Sequence, residues 1–223
     1  LYMMLKKSDE AGIPIKREDF NKYGKEIEFF KGVTTWFERI NEFGKSLNIK
    51  IEHYIISSGQ KEIIEGTTIS KYFKEIFASE FLYIDEKAVW PAMAVNYTTK
   101  TQFIARINKG VLDISDDSTL NRRMLAEDRR ISNKNMIYIG DGFTDIPSMR
   151  MTHANGGYSI AVYQENNKEV AKTLLQDDRV DFATLADYSE NSDLERLIKK
   201  IIQTMAIGTE LYYEHKKQVQ ENI

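Results

Sequence analysis

The sequence contains no cysteine, so neither a structural disulfide nor a thiolate-bound metal is available to this protein. That absence fits the reducing cytosol, and we expect a cytoplasmic location. The sequence also lacks any apolar run near the roughly 18 residues that a membrane-spanning helix needs. Its first residues have neither the basic start nor the long apolar centre of a signal peptide. We therefore expect no association with a membrane.

An excess of positive charge is absent as well. Lysine and arginine total 31 against 34 aspartate and glutamate residues, which leaves a net charge of −3. A protein without a basic field has no general attraction for nucleic acid, so we expect no nucleic-acid partner. Hydrophobic residues make up 42% of the 223 and charged residues 29%, which is typical of a soluble domain with a substantial core. Nothing in the sequence indicates an oligomeric state.

Short apolar runs alternate with amphipathic segments, and this alternation predicts an α/β fold with a parallel sheet. Strands are predicted at 51–57, 136–139, 158–162 and 180–182, with a hairpin near 77–95 that turns at Asp85-Glu86-Lys87. Helices are predicted at 1–12, 17–24, 34–48, 59–76, 98–110, 144–151, 165–175 and 194–205, with Thr34 or Thr35 and Ser192 as N-caps. In such sheets, ligands bind beyond the carboxyl ends of the strands.

One of these strand ends carries two carboxylates. The stretch NMIYIGDGFTDIPSM, residues 135–149, passes from an apolar strand through Gly140 to Asp141 and, four residues later, to Asp145. Carboxylates that converge at a strand end repel each other unless they share a proton or a cation. Mg²⁺ binds one or two carboxylates together with waters and a phosphate oxygen, so it is the natural cation here. The alternative is that both residues serve only in a turn and a helix cap.

The strand predicted at 51–57 also ends in polar residues. Ser57 follows its apolar residues, and Ser58 and Gly59 come next, where we expect a helix to begin. A hydroxyl beside free N–H groups at a helix start forms an anion site, so these three residues are candidate phosphate contacts. A simple N-cap role for Ser57 is the alternative.

Lys100 is the third candidate, because it opens a predicted helix in the stretch NYTTKTQF. The helix dipole disfavours a cation at this end, so we expect a neighbouring carboxylate or a phosphate to compensate it. A solvated surface lysine is the alternative. Lys109 is the next candidate if Lys100 lies elsewhere.

These sites, in this order, resemble the motifs of the haloacid dehalogenase superfamily of phosphohydrolases, and the resemblance covers residues 27 to 205. Ser57 matches the second motif of that family, Lys100 the third, and Gly140-Asp141 with Asp145 the fourth, G-D-x-x-x-D. The resemblance implies a three-layer Rossmann-like core. It also implies a magnesium-dependent hydrolase of phosphatase type that acts on a small phosphorylated substrate through an aspartyl-phosphate.

The resemblance assigns the candidate residues to overlapping roles. Asp141 and Asp145 are the expected metal ligands. Ser57, Lys100 and Asp145 are the expected catalytic residues of this chain, and the expected substrate contacts are Ser57, Ser58, Gly59 and Lys100. In such phosphoryl transfers, most of the catalysis comes from spreading charge over the phosphoryl oxygens.

The family's first motif, D-x-D-x-T/V, is missing from this sequence. Asp85 follows a predicted strand, but Lys87 stands where the second aspartate belongs, and turn chemistry explains Asp85. We therefore expect the nucleophilic aspartate to lie upstream of Leu1. On this interpretation residues 1–26 are part of a helical cap, and residues 27–223 are the α/β core with its hairpin and a polar insertion at 111–134.

The missing motif has a structural consequence. The strand that carries it would lie between the strands that end in Ser57 and Asp141, so without it we expect two open strand edges. We also expect residues 1–223 alone to be inactive. An alternative is a non-catalytic binding or scaffold protein with the same fold and no nucleophile. A receiver-type domain fits less well, because its acidic pocket lies early in the chain.

The histidines and tryptophans are not expected to form a site. His53, His153 and His215 are scattered, and no two share a metal-ligand spacing. Trp36 and Trp90 are interpreted as core or cap-contact residues. The chemistry predicted for this chain therefore lies with the three strand-end and helix-start positions.

Overall fold

The computed structural model describes residues 1–221, and these form two compact units. The first contains residues 1–28, 52–132 and 142–151, and the second contains 29–51, 133–141 and the chain from residue 152 onward. Helices and strands occur in both units, which confirms the α/β class. The predicted boundary between residues 26 and 27 stays a prediction, since compactness alone does not define a cap.

The helices and strands follow the predicted order closely. The helices are α1 Tyr2–Ala11, α2 Arg17–Lys25, α3 Val33–Ser46, α4 Lys61–Glu65, α5 Lys100–Lys109, α6 Asp117–Asn121, α7 Ile146–Ala154, α8 Lys168–Gln176 and α9 Asp193–Glu221. The strands are β1 His53–Gln60, β2 Phe73–Ile84, β3 Lys87–Met93, β4 Ile137–Gly140, β5 Tyr158–Tyr163 and β6 Phe182–Leu185. Among residues 1–221, no helix combines the length and the apolar composition needed to cross a membrane.

The first unit is built on a mixed sheet with the strand order β1-β2-β3. β1 runs parallel to β2, and β2 runs antiparallel to β3. The predicted hairpin is confirmed, and its turn consists of Asp85 and Glu86, which both adopt positive φ angles of 47° and 64°. Two consecutive residues of positive φ match the right-handed twist of the flanking strands, which is why such turns join hairpins.

Aromatic packing holds the first unit together. The rings of Phe77 on β2 and Phe103 on α5 stack with their centroids 4.6 Å apart, and both side chains are buried.

The helices α2 and α4 of the same unit approach very closely at glycines. A Cβ atom on Gly24 would lie 2.1 Å from the carbonyl oxygen of Ile63, and one on Gly66 would lie 2.2 Å from that of Asn21. Larger residues at these glycines would separate the two helices.

The second unit contains a parallel sheet with the order β4-β5-β6. β5 is its central strand, and Ile160, Ala161 and Val162 are buried there. The first turns of α9 also bury apolar side chains, including Leu194 and Ile198. Ser192 caps this helix as predicted, because its hydroxyl accepts a hydrogen bond of 3.1 Å from the N–H of Glu195.

Several predicted boundaries were wrong. The helix predicted at 59–76 ends at Glu65, and the chain enters β2 at Phe73, because the β-rich run FKEIFASEF pairs with β1. The last strand lies at 182–185 rather than 180–182. The N-cap of α3 is Gly32, with φ of 84°, instead of Thr34 or Thr35. A Cβ atom at this position would lie 2.3 Å from the backbone of Ser189, so glycine is required there.

β1 and β4 are edge strands of their sheets among the described residues. Within residues 1–221, β1 pairs only with β2, and β4 pairs only with β5. Ile55 and Ile56 on β1 are half-exposed, whereas Ile76 and Phe77 on its neighbour β2 are buried. Half-exposed apolar residues on a parallel strand differ from the usual burial of such strands on both faces. The strand expected beside β1 and β4 stays a prediction.

A charged cluster fixes the start of β1 to the polar insertion. The Glu52 carboxylate accepts hydrogen bonds from Arg130 Nη2 at 2.5 and 2.6 Å, from Lys74 Nζ at 2.7 Å and from Tyr54 Oη at 2.7 Å. Burial by itself raises the pKa of Glu52, but the hydrogen bonds from these neighbours outweigh it and lower the pKa from 4.5 to about 2. The ionised form of Glu52 thus stabilises the folded state.

We predict that Glu52→Gln lowers the free energy of unfolding by about 2 kcal/mol at pH 7. Because the folded pKa lies below the unfolded value, the stabilisation is complete above about pH 4.5 and is lost as the pH falls towards 2. Urea unfolding of both proteins between pH 7 and 2 measures the difference. The exposed Glu10→Gln is the control and should change stability by less than about 0.5 kcal/mol. A difference for Glu52→Gln that does not shrink at acid pH would contradict this account.

Candidate functional site

Lys100 lies where the sequence analysis predicted, at the first residue of α5. Only 5% of the residue is exposed, although lysine is usually a surface residue. Its ammonium group donates a hydrogen bond of 2.7 Å to Oδ1 of Asp145. Asp145 is also 5% exposed, so the two charges form a buried ion pair within the first unit. This carboxylate compensates the unfavourable position of a cation at a helix N-terminus.

A tight turn before α5 positions Lys100. The side-chain oxygen Oδ1 of Asn96 accepts hydrogen bonds from the N–H groups of Thr98 and Thr99, both at 3.0 Å. In return the N–H of Asn96 donates to Oγ1 of Thr99 at 2.8 Å, and the N–H of Lys100 donates to the Asn96 carbonyl at 3.1 Å. These bonds satisfy the backbone groups at the start of the helix. The residues NYTTK thus form a rigid entry to α5.

A second turn positions Asp145. Residues Phe143–Asp145 form one turn of 3₁₀-helix, and the N–H of Asp145 donates to the Gly142 carbonyl at 3.0 Å. The helix α7 begins at the next residue, Ile146. A helix is therefore confirmed here, although it spans Ile146–Ala154 instead of the predicted 144–151. Asp145 is held at its start, where its backbone is fixed and its side chain faces Lys100.

Asp141 belongs to the second unit and directly follows β4. Its side chain is exposed and forms no hydrogen bond or ion pair with the residues that the structure describes. Tyr188 lies within reach of its charge: burial, and then the charge of Asp141, raise the pKa of Tyr188 to about 12. The Tyr188 hydroxyl is therefore protonated at neutral pH. Asp141 and Asp145 thus differ, because one carboxylate is exposed and unpaired and the other is buried and paired.

The loop that carries Tyr188 is fixed by α3 and α9. The Tyr188 ring packs edge-on against Trp36 with the centroids 5.1 Å apart, and its carbonyl accepts a hydrogen bond of 2.6 Å from Arg39. Arg39 Nε also donates to Oε1 of the fully buried Glu195 at 2.9 Å. This arrangement was not predicted from the sequence, although Arg39 lies on the helix predicted at 34–48. The position of Arg39, three residues after Trp36 and four before Phe43 on the apolar face of an amphipathic helix, is the signal that could have identified it.

Ser57 lies on β1, but its surroundings differ from the prediction. Its Oγ accepts a hydrogen bond of 3.0 Å from the N–H of Gly59, so its hydroxyl hydrogen remains available for another acceptor. No helix begins at Ser58 or Gly59, because β1 continues to Gln60 and α4 starts at Lys61. The predicted helix start at these two residues was therefore wrong, and so was the alternative that Ser57 caps a helix, whereas their role as phosphate contacts stays a prediction. Both Ser58 and Gly59 are exposed.

Lys109, the substitute for Lys100, has a structural role. Its ammonium group donates hydrogen bonds to the carbonyl oxygens of Leu120 and Arg122, at 2.6 and 2.9 Å, and so ties α5 to the polar insertion. Of the predicted residues, the structure brings Lys100 and Asp145 into direct contact. Residues 1–221 contain no group of three or more histidine, cysteine, aspartate or glutamate side chains arranged to hold a metal ion.

The second unit also contains a serine, an aspartate and a histidine in contact. Nδ1 of His153 lies 2.7 Å from Oδ1 of Asp181, and Oδ2 of Asp181 accepts a hydrogen bond of 2.8 Å from Oγ of Ser159. In a hydrolytic triad the histidine lies between the other two residues and accepts the serine proton. Here the aspartate lies between them and Ser159 is fully buried, so the cluster is structural.

We predict opposite effects for breaking and for replacing the buried ion pair. Lys100→Met leaves Asp145 buried without its cation and should lower the free energy of unfolding by about 3–5 kcal/mol. The double variant Lys100→Met/Asp145→Leu removes both charges and should recover most of that loss. Lys22→Met, which breaks an exposed pair with Asp19, is the control and should cost less than about 1 kcal/mol. A double variant no more stable than Lys100→Met would show that other contacts of these side chains dominate.

Comparison with known proteins identifies one relative. No model of a known protein family and no solved structure matches the chain. The chain is 32% identical over 203 residues to an uncharacterized protein of Borreliella burgdorferi, and the match covers 80% of this chain and 68% of that protein. Identity at this level over most of both chains indicates common descent. The chain belongs to the same family as this uncharacterized protein of Borreliella burgdorferi.

Proposed function

We propose that this protein is a magnesium-dependent phosphohydrolase of the haloacid dehalogenase type that acts on a small phosphate ester. The observation that carries this proposal is the buried ion pair between Lys100 and Asp145, 2.7 Å apart. A lysine is seldom buried at a helix N-terminus, where both desolvation and the helix dipole oppose its charge. A phosphate site explains why such a cation is kept.

The positions of the two partners also support the proposal. Lys100 opens α5, and Asp145 lies four residues after Asp141 in the G-D-x-x-x-D motif. The ion pair therefore links the residues that resemble the third and fourth motifs of one family. An ion pair kept only for stability would not need to join these two motifs, and apolar side chains of similar size would serve as well.

The carboxylates fit a magnesium ion in different ways. Asp141 is exposed and unpaired, which suits a direct ligand of a hard cation. Asp145 already binds Lys100, so we assign it mainly to positioning that lysine. Mg²⁺ usually retains several waters and needs only one or two protein carboxylates, so this set is sufficient together with a phosphate oxygen. Bound there, the ion would neutralise charge on the phosphoryl group.

The side chains of this chain would bind and orient the phosphoryl group. The Lys100 ammonium group, held by Asp145, has two further N–H donors for phosphoryl oxygens. The Ser57 hydroxyl accepts from Gly59 and keeps its own hydrogen to donate. These donors are fixed before substrate binds, and fixed donors stabilise developing charge without reorganisation.

We propose that the nucleophile is an aspartate outside residues 1–223. Its carboxylate oxygen would bond to phosphorus as the ester P–O bond breaks, and the leaving alkoxide would take a proton from a general acid. Water would then hydrolyse the aspartyl-phosphate and release phosphate. We propose that the strand that carries this aspartate completes a Rossmann-like core. A cytoplasmic location belongs to the same proposal.

The first test concerns the metal. We predict that Asp141→Asn weakens Mg²⁺ binding to the full-length protein at least about tenfold, since one charged ligand is lost. Asp9→Asn, at an exposed position on α1, should bind Mg²⁺ like the wild type. Isothermal titration calorimetry measures both affinities. Equal affinities for Asp141→Asn and the wild type would overturn the assignment of this ligand.

The second test concerns the nucleophile. We predict no turnover of a generic phosphate ester by residues 1–223 with Mg²⁺, because no aspartate in this sequence occupies the D-x-D position. The full-length protein should hydrolyse the same ester. Release of phosphate measures both rates, and far-ultraviolet circular dichroism checks that the shorter chain is folded. Efficient turnover by residues 1–223 would show that the nucleophile assignment is wrong.

A non-catalytic binding protein is the second candidate. The observation that favours it is that residues 1–223 contain no D-x-D-x-T/V motif. On this hypothesis Lys100 and Ser57 bind a phosphorylated ligand without cleaving it. A full-length protein that binds phosphate esters but does not hydrolyse them would favour this candidate over the enzyme.

A further inference from the structure

Two aromatic side chains beside the buried ion pair are exposed. Tyr97 is 56% exposed and precedes Lys100 by three residues, and Phe143 is 68% exposed and precedes Asp145 by two. All four residues belong to the first unit. With consecutive Cα atoms ~3.8 Å apart, Tyr97 lies within ~11 Å of Lys100, and Phe143 within ~8 Å of Asp145, between Cα atoms. The backbone positions of both aromatic residues therefore lie close to the pair.

The turns that carry these rings do not depend on them. The turn before α5 is held by the side chains of Asn96 and Thr99 and by backbone groups, and the Tyr97 ring takes part in none of these bonds. The turn at 143–145 is closed by the backbone bond from Asp145 to Gly142. Any polar residue would serve at either position and avoid exposing apolar area. Neither turn therefore accounts for the aromatic residue that it carries.

We propose that Tyr97 and Phe143 bind an aromatic ring in the organic part of the substrate, so that the substrate class is an aryl or nucleoside phosphate. This inference rests on the proposed function, because it takes Lys100 as the phosphate contact. Aromatic side chains bind flat rings by stacking or edge contact, and a small-molecule site typically combines such surfaces with a few fixed polar groups. Here two hydrogen-bonded turns each carry one aromatic residue two or three positions before a member of the same charged pair.

The test uses ligands that do not react, so that it does not depend on turnover. Phenylphosphonate and methylphosphonate share the anionic group and differ in the aromatic ring. We expect the full-length wild type, with Mg²⁺ present, to bind phenylphosphonate at least about tenfold more tightly in calorimetry, which corresponds to 1.4 kcal/mol. Tyr97→Ala and Phe143→Ala should each reduce that preference about threefold or more, and together should abolish it, with methylphosphonate affinity unchanged.

Conservative and control variants separate ring contact from a loss of fold. Tyr97→Phe and Phe143→Tyr keep a ring and should retain the preference. Tyr23→Ala removes a comparably exposed aromatic residue, 58% exposed on α2, and should have no effect. If the proposed function holds, Tyr97→Ala and Phe143→Ala should also lower kcat/KM for phenyl phosphate, mainly through KM, and leave that for glycerol phosphate within about twofold.

The outcomes distinguish this proposal from the function on which it rests. Equal binding of the two phosphonates by the wild type would overturn the aromatic contact and leave the phosphate site intact. An equal loss of both affinities in Tyr97→Ala and Phe143→Ala would show that these residues support the phosphate site instead of contacting a ring. Binding of neither phosphonate would overturn the proposed function together with this inference.

Discussion

The contact between Lys100 and Asp145 is the interaction on which the candidate site depends. It fixes the start of α5 against the turn at 143–145, and both of its charges are removed from water. A buried pair of this kind contributes little net stability, because desolvation offsets much of the attraction, yet loss of either partner is costly. The pair thus constrains geometry more than it stabilises the fold. It gives Lys100 one orientation and leaves Asp141 as the unpaired carboxylate of the motif.

The two sheets likewise combine fully paired central strands with strands that have an unpaired edge. β2 and β5 are central strands with buried residues, whereas β1 and β4 each have one unpaired edge among the described residues. The candidate residues Ser57 and Asp141 lie on or directly after these two edge strands. Unpaired backbone groups favour strand addition, so natural proteins usually protect such edges. The proposed nucleophile strand would pair with an open edge of this kind.

Two other charged clusters of the molecule differ from the candidate site in the side chain that supplies the positive charge. Glu52 with Arg130, and Glu195 with Arg39, join separate segments through several hydrogen bonds to one carboxylate. Each of these arginines forms a planar fork that suits carboxylate recognition. Lys100 instead carries a compact ammonium group with donors that remain after Asp145 has been bound. The remaining N–H donors of Lys100 suit the binding of a ligand. The exposed aromatic residues Tyr97 and Phe143 are consistent with a ligand that carries an aromatic ring.

The sequence by itself determined the α/β class, the order of the elements and the polar residues at the strand ends, since these follow from local periodicity and turn chemistry. The hairpin at Asp85-Glu86 and the cap at Ser192 were predictable for the same reason. Tertiary structure decided that β2 starts at Phe73, because pairing with β1 outweighs helical periodicity. It also decided that β1 continues through Ser58 and Gly59, and that Asp145 rather than Asp141 faces Lys100. Such choices depend on strand pairing and on long-range charge contacts, which residue spacing does not encode.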